Sequence, residues 1–98
     1  MTGVFITLKL QFKPGLLAGF AQDLPQVLEE TKRFDGFIEI AAYRHEEDAD
    51  RLIVAERWES ADAYKAYIAW RVSTGFMDAL GNALAEPPAI DIWPDRIA

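Results

Sequence analysis

The feature that most constrains the fold is the way the hydrophobic period changes along the chain. From Val4 to Phe12 apolar side chains alternate. Val4, Ile6, Leu8, Leu10 and Phe12 share one face, and Phe5, Thr7, Lys9 and Gln11 share a mixed second face. A period of two belongs to a half-buried strand. Lys13-Pro14-Gly15 ends it, because proline removes a ladder donor and glycine permits a turn. From Leu16 to Phe34 the period becomes helical, with Leu17, Phe20, Leu24, Val27 and Leu28 on one stripe. Pro25 interrupts that stripe, and Asp23 is placed to cap a new helical segment, so a kink or break is expected near Asp23. Asp35-Gly36 closes the helix.

Phe37 to Arg44 and Leu52 to Trp58 read as the next two strands. They form a hairpin whose long tip is the acidic segment His45 to Asp50. Ser60 caps a second helix, with Asp62 in its first turn. On that helix Tyr64, Tyr67, Ile68 and Arg71 share a face, with Ala63, Ala66 and Trp70 beside it. Ser73-Thr74-Gly75 breaks the pattern. A short helix follows with Phe76, Met77, Leu80 and Leu84 inward, and Pro87-Pro88 stops it. Ala89 to Trp93 is a last strand. The order β-α-β-β-α-(α)-β predicts an α+β fold of the ferredoxin-like, split βαβ kind, a four-stranded antiparallel sheet with helices on one face. The 98 residues form a single domain spanning 1–98. A partly apolar second sheet face on so small a domain predicts a homodimer paired through that face.

Composition narrows the function. A net charge of -6 argues against nucleic acid and against an anionic membrane surface. With no cysteine, thiolate metal sites, disulfides and cysteine nucleophiles are excluded. Met1 to Leu10 lacks the basic and apolar regions of a signal peptide, and no window approaches a membrane span, so a cytoplasmic location is expected. Glu46, Glu47, Asp48 and Asp50 miss the calcium-loop pattern, with Arg51 where glycine is required and Arg57 where glutamate is required, so no metal site is expected there.

Several side chains are candidates for chemistry. Glu56 shares a strand face with Leu52, Val54 and Trp58. An inward carboxylate is either a base with a raised pKa or half of a salt bridge, to Arg71, to Arg44 or to an arginine of a partner. Trp58 either lines an aromatic pocket or packs the second helix. His45 is the one imidazole and is either a general base or a solvated loop residue. Tyr67 and Arg71, four apart, stack on one helix face near Trp70. With Tyr43 they either hold a planar anionic ligand or cover the core edge. A pocket between sheet and helices would be walled by Phe5, Tyr43, Trp58, Tyr67, Trp70, Arg71 and Phe76.

Phe12-Lys13-Pro14-Gly15 after the first strand, Arg33-Phe34-Asp35-Gly36-Phe37 at the close of the first helix, Tyr43-Arg44, and Glu56-Arg57-Trp58-Glu59-Ser60 leading to Ala63-Tyr64 resemble the antibiotic-biosynthesis monooxygenase family across the whole chain. The resemblance implies a dimeric α+β barrel. It also implies a cofactor-independent monooxygenase acting on a small aromatic or quinol, with no cofactor; the side chains themselves make His45, Glu56 and Arg71 the catalytic candidates. The alternative is a non-catalytic dimeric module that binds an apolar small molecule or a partner protein. The related haem-degrading pattern is not matched. Its first-strand Asn position falls near Leu8, its helical Trp position falls on Tyr67, and no His follows His45 to serve as iron ligand.

Overall fold

A computed structural model of the chain describes residues 3–98; Met1 and Thr2, and with them the start of the Met1–Leu10 reading, lie outside it. The elements run β1 (Val4–Gln11), α1 (Leu16–Lys32), β2 (Phe37–Arg44), β3 (Arg51–Trp58), α2 (Ala61–Ser73), α3 (Phe76–Ala83) and β4 (Ala89–Trp93). The strands pair antiparallel in the order β2-β3-β1-β4, which is the expected split βαβ arrangement.

Strand register puts the alternation to use. Ile6 lies opposite Glu56 and Ile92, and Leu8 opposite Val54 and Ile90, so these residues face the helices together. Two clusters fill the space between. One joins Leu8, Leu10, Phe12, Leu52 and Val54 to Leu17 of α1 and to Leu80 and Leu84 at the end of α3. The other joins Val4, Ile6 and Trp58 to Tyr64 and Tyr67 of α2. The opposite face carries Phe5, Thr7, Ile53, Ala55, Arg57, Tyr43 and Trp93. There Arg57 lies over the Phe5 ring at 5.4 Å and Trp93 Nε1 donates to Thr7 Oγ1 at 3.1 Å.

The break expected near Asp23 does not occur. α1 is continuous from Leu16 to Lys32 with Pro25 inside it. Proline forfeits the hydrogen bond to the carbonyl four residues back. That carbonyl belongs to half-exposed Ala21, and the apolar stripe on either side of Pro25 remains anchored on the sheet. The start of α1 is capped from elsewhere. Its N-cap Gly15 has no side chain, and the Asp50 carboxylate at the hairpin tip accepts from Gly15 N at 3.0 Å and 3.1 Å and from Leu17 N at 3.4 Å. A carboxylate here pairs orphan N–H groups and meets the positive end of the helix. α2 is capped as expected, with the Ser60 hydroxyl accepting from Ala63 N at 3.0 Å.

Gly36 holds the turn from α1 to β2 at φ 88, and a Cβ there would stand 2.5 Å from the Ala63 Cβ of α2. Gly15 has a similar φ of 81 with open space around it. Left-handed geometry costs a side chain about 1–2 kcal/mol. Overpacking adds roughly 1–3 kcal/mol. Urea unfolding of Gly36→Ala and Gly15→Ala should show both destabilised, Gly36→Ala by the larger amount. Equal losses would show that α2 gives way at Ala63.

Candidate functional site

Among the described residues the interior between sheet and helices holds two buried charged side chains, Glu56 on β3 and Arg71 on α2, each 3% exposed, together with the buried Thr31 of α1. Strand parity alone carries Glu56 inward, between Ile6 of β1 and Ile40 of β2. Its carboxyl accepts a hydrogen bond from Trp58 Nε1 at 2.9 Å, two residues along the same strand face. Burial pushes the Glu56 pKa up, against smaller opposing effects of the Trp58 bond and the Arg71 charge.

Glu56 was open to a salt bridge with Arg71 or Arg44, and neither forms. Arg71 turns instead to α1. Its NH1 group donates to Glu30 Oε1 at 2.9 Å, and NH2 donates to the Val27 carbonyl at 3.0 Å and to Thr31 Oγ1 at 3.2 Å. Nε donates to the Tyr67 hydroxyl at 2.8 Å, as their helical spacing predicts. The Thr31 hydroxyl donates to Val27 O at 2.9 Å, so the Tyr67 hydroxyl, 2.8 Å away, is the donor between the two. The guanidinium also lies 4.8 Å from the Trp70 ring centre and 4.6 Å from that of Phe76. Glu30 has its pKa lowered, first by the Arg71 hydrogen bond.

Trp58 is fully buried, its ring 4.9 Å from Tyr67, 5.6 Å from Phe37 and 5.9 Å from Tyr64. Tyr64 was not a sequence candidate, yet its buried hydroxyl has no hydrogen-bond partner. Burial, then the charge of Glu56, pushes its pKa up, so it stays protonated and able to donate. Helical periodicity could place Tyr64 in the core but carried no sign of the orphaned hydroxyl.

Glu56, Thr31, Tyr67, Arg71 and Phe76 line one inner cavity of about 50 Å³, the rest of whose wall is apolar, including Leu8, Val54 and Leu80. A water occupies about 30 Å³ of liquid, so the space has room for one or two molecules of that size. A larger cleft of about 680 Å³ opens outside, lined by Phe34, Trp70 and Arg33 among others. Arg71 and Phe76 line both spaces and form the wall between them.

The expected pocket wall is therefore corrected in part. Phe5 and Tyr43 lie on the other face of the sheet, Tyr43 opposite Ile53 and Phe5 opposite Arg57, because odd-numbered positions of β1 point away from the helices. Trp70 belongs to the outer cleft, and Trp58, packed among Phe37, Tyr64 and Tyr67, lines neither space. His45 is exposed in the hairpin tip, where its Nδ1 accepts from Glu47 N at 3.0 Å and Asp48 N at 3.2 Å, and it is not among the residues of either space.

A family model described as antibiotic biosynthesis monooxygenase matches residues 3–80. Comparison with curated proteins returns no match. Among solved structures, a conserved protein from Methanosarcina mazei Go1 is similar at TM-score 0.85 and 22% identity, covering 98% of this chain and 95% of that one. SnoaB, a cofactor-independent oxygenase from Streptomyces nogalater, is similar at TM-score 0.82 and 15% identity, covering 100% and 97%. A monooxygenase from the gene ActVA-Orf6 of Streptomyces coelicolor, in complex with Nanaomycin D, is similar at TM-score 0.76 and 20% identity, covering 99% and 90%. These likenesses establish a shared fold.

The raised pKa of Glu56 has a thermodynamic consequence. The fold binds its proton more tightly than the unfolded chain does. This part of stability is fully present below the ordinary value of 4.5 and is lost as pH rises through the raised native value. Glu56→Gln keeps an acceptor for Trp58 and removes the charge. Thermal unfolding from about pH 4 to pH 8 should show the variant gaining Tm relative to the parent as pH rises. Parallel curves would mean that Glu56 ionises without cost.

Proposed function

The chain belongs to the antibiotic biosynthesis monooxygenase family, and from that premise we propose that it oxygenates a small electron-rich phenol, quinol or anthrone without a resident cofactor, using Glu56 as the base. The observation that carries this reading is a buried carboxyl with a raised pKa at the edge of an apolar cavity. A base tuned toward neutrality can accept a substrate proton at working pH, and a dry wall keeps competing water away.

The steps balance for an anthrone-like CH₂ group. Glu56 takes the proton, leaving a carbanion delocalised as a phenolate. The anion supplies the electrons that reduce dioxygen, and a C–O bond forms to give a peroxide. Glu56 returns its proton to the distal oxygen to give a hydroperoxide; loss of the second C–H proton then expels hydroxide as the O–O bond breaks, and that proton converts the hydroxide to water. One oxygen atom stays in a new carbonyl and the other leaves as water. Arg71 has its donors committed to α1 and Tyr67. Its role in this scheme is that of a positioning residue, holding Tyr67 and Phe76 while its positive charge favours an anion in the cavity. His45 stands away from Glu56 and has no step here. An aromatic ring exceeds the inner cavity, so it would enter by displacing Phe76 from the shared wall.

The size of that cavity also favours a second reading, a module that binds its ligand in the outer cleft without turnover. Oxygen uptake separates the two. The purified protein, free of added cofactor, should consume oxygen with a panel of quinols and anthrones above the uncatalysed rate. Glu56→Gln should lower that rate by roughly 100-fold or more, and Trp58→Phe should shift its pH profile by removing the bond to Glu56. Binding without uptake would support the module; uptake unchanged in Glu56→Gln would remove Glu56 as the base.

The same proposal includes a homodimer. The sheet face away from the helices exposes Tyr43 and Trp93 by 61% and 55% beside Phe5, Ile53 and Ala55. A second copy related by a twofold axis would cover it. No described helix is long and apolar enough to cross a membrane, and the protein is proposed to work in the cytoplasm. Light scattering at micromolar concentration should give about twice the 11.0 kDa chain mass. A monomer mass would remove the dimer from the scheme.

A further inference from the structure

We infer that the outer cleft is a binding subsite for the anionic arm of a planar aromatic acid, with Arg33 as its counter-ion. The cleft of about 680 Å³ lies within the usual range for small-molecule sites, roughly 300–1,000 Å³. Three aromatic rings line it, from Phe34, Trp70 and Phe76. The Phe34 and Trp70 ring centres are 5.7 Å apart, and Trp70 keeps 36% of its surface exposed. Such a wall offers stacking area to a flat ligand at little entropic cost.

The charges at the cleft supply the second half of the specificity. The charged lining residues are Glu30, Arg33 and Arg71. Glu30 and Arg71 neutralise one another through the 2.9 Å pair. Arg33 forms no ion pair with any carboxylate among the described residues. The cleft therefore presents one uncompensated positive charge on a chain of net charge -6. A guanidinium beside aromatic faces suits a carboxylate carried on a ring, which it can meet with paired N–H donors. The wall of Arg71 and Phe76 then stands between the held acid and Glu56. This inference rests on the proposed chemistry only for where the ring goes next.

Calorimetric titration under nitrogen tests the subsite without turnover. The probes are hydroxynaphthoate and naphthol, the same ring system with and without a carboxylate. At about pH 7 the acid should bind roughly tenfold more tightly than the neutral ring, the difference expected of a charge-assisted hydrogen bond. Arg33→Gln should abolish that preference and leave naphthol binding unchanged. Lys32→Gln removes an equal charge from the adjacent residue, which is paired with Glu29, and should preserve the preference. Trp70→Leu should weaken both probes. Equal affinity for the two probes, no binding of either, or equal losses in Arg33→Gln and Lys32→Gln would overturn the subsite. Oxygen uptake plays no part in these outcomes, so a failed oxygenase and a failed subsite are told apart.

Discussion

Burying the Arg71 guanidinium carries a heavy desolvation cost, and the fold meets it by surrounding the charge with acceptors drawn from α1 and from its own helix. Glu30, the Val27 carbonyl and Thr31 come from α1, and Tyr67 comes from the turn of α2 below. A buried ion without such partners would cost several kcal/mol, on the order of 3–5 when one partner is removed. The result is directional. α2 can dock on α1 only where these acceptors meet the guanidinium, whereas apolar packing alone would tolerate sliding. The aromatic rings of Trp70 and Phe76 close over the remaining faces. Arg71 thereby ties α1, α2 and the start of α3 into one layer above the sheet.

That arrangement decides what is left for chemistry. Because Arg71 spends its hydrogen bonds on α1, Glu56 has no ion-pair partner among the described residues and rests on a single bond from Trp58. A carboxyl held this way keeps its proton to higher pH than one facing an arginine would. The same side chain also partitions the molecule. On one side lies a small apolar space next to Glu56, and on the other a wide cleft with an unpaired Arg33. Proton transfer and ligand capture can then be separate tasks of neighbouring compartments.

Much of this was legible in the order of the residues. A period of two in Val4 to Phe12 and in Leu52 to Trp58, and helical stripes between, are local properties of the chain. They place Glu56, Trp58, Tyr67 and Arg71 on inward faces without reference to anything else. The Ser60 cap and the glycine turn at Gly36 that follows the end of α1 at Lys32 are local as well. The site was less legible. Phe5 and Tyr43 are aromatic and near the ends of strands, but one residue of strand parity sends each to the far side of the sheet. His45 had suitable chemistry, and its place in the hairpin tip removed it from the interior. The orphaned Tyr64 hydroxyl left no trace in the residue order, because tyrosine packs as a core residue whether or not its oxygen finds a partner.

The sequence by itself determined the element order, the alternation of faces along each strand and the absence of thiol chemistry, since periodicity and composition are properties of single segments. Tertiary structure decided who meets whom. It gave Arg71 to Glu30 and left Glu56 to Trp58. It brought Asp50 across 35 residues to cap α1 at Gly15, and it kept α1 continuous through Pro25. Each of these is a distance between groups on different elements. Such distances follow from how layers dock, and a pattern within one segment carries no information about the segment it will face.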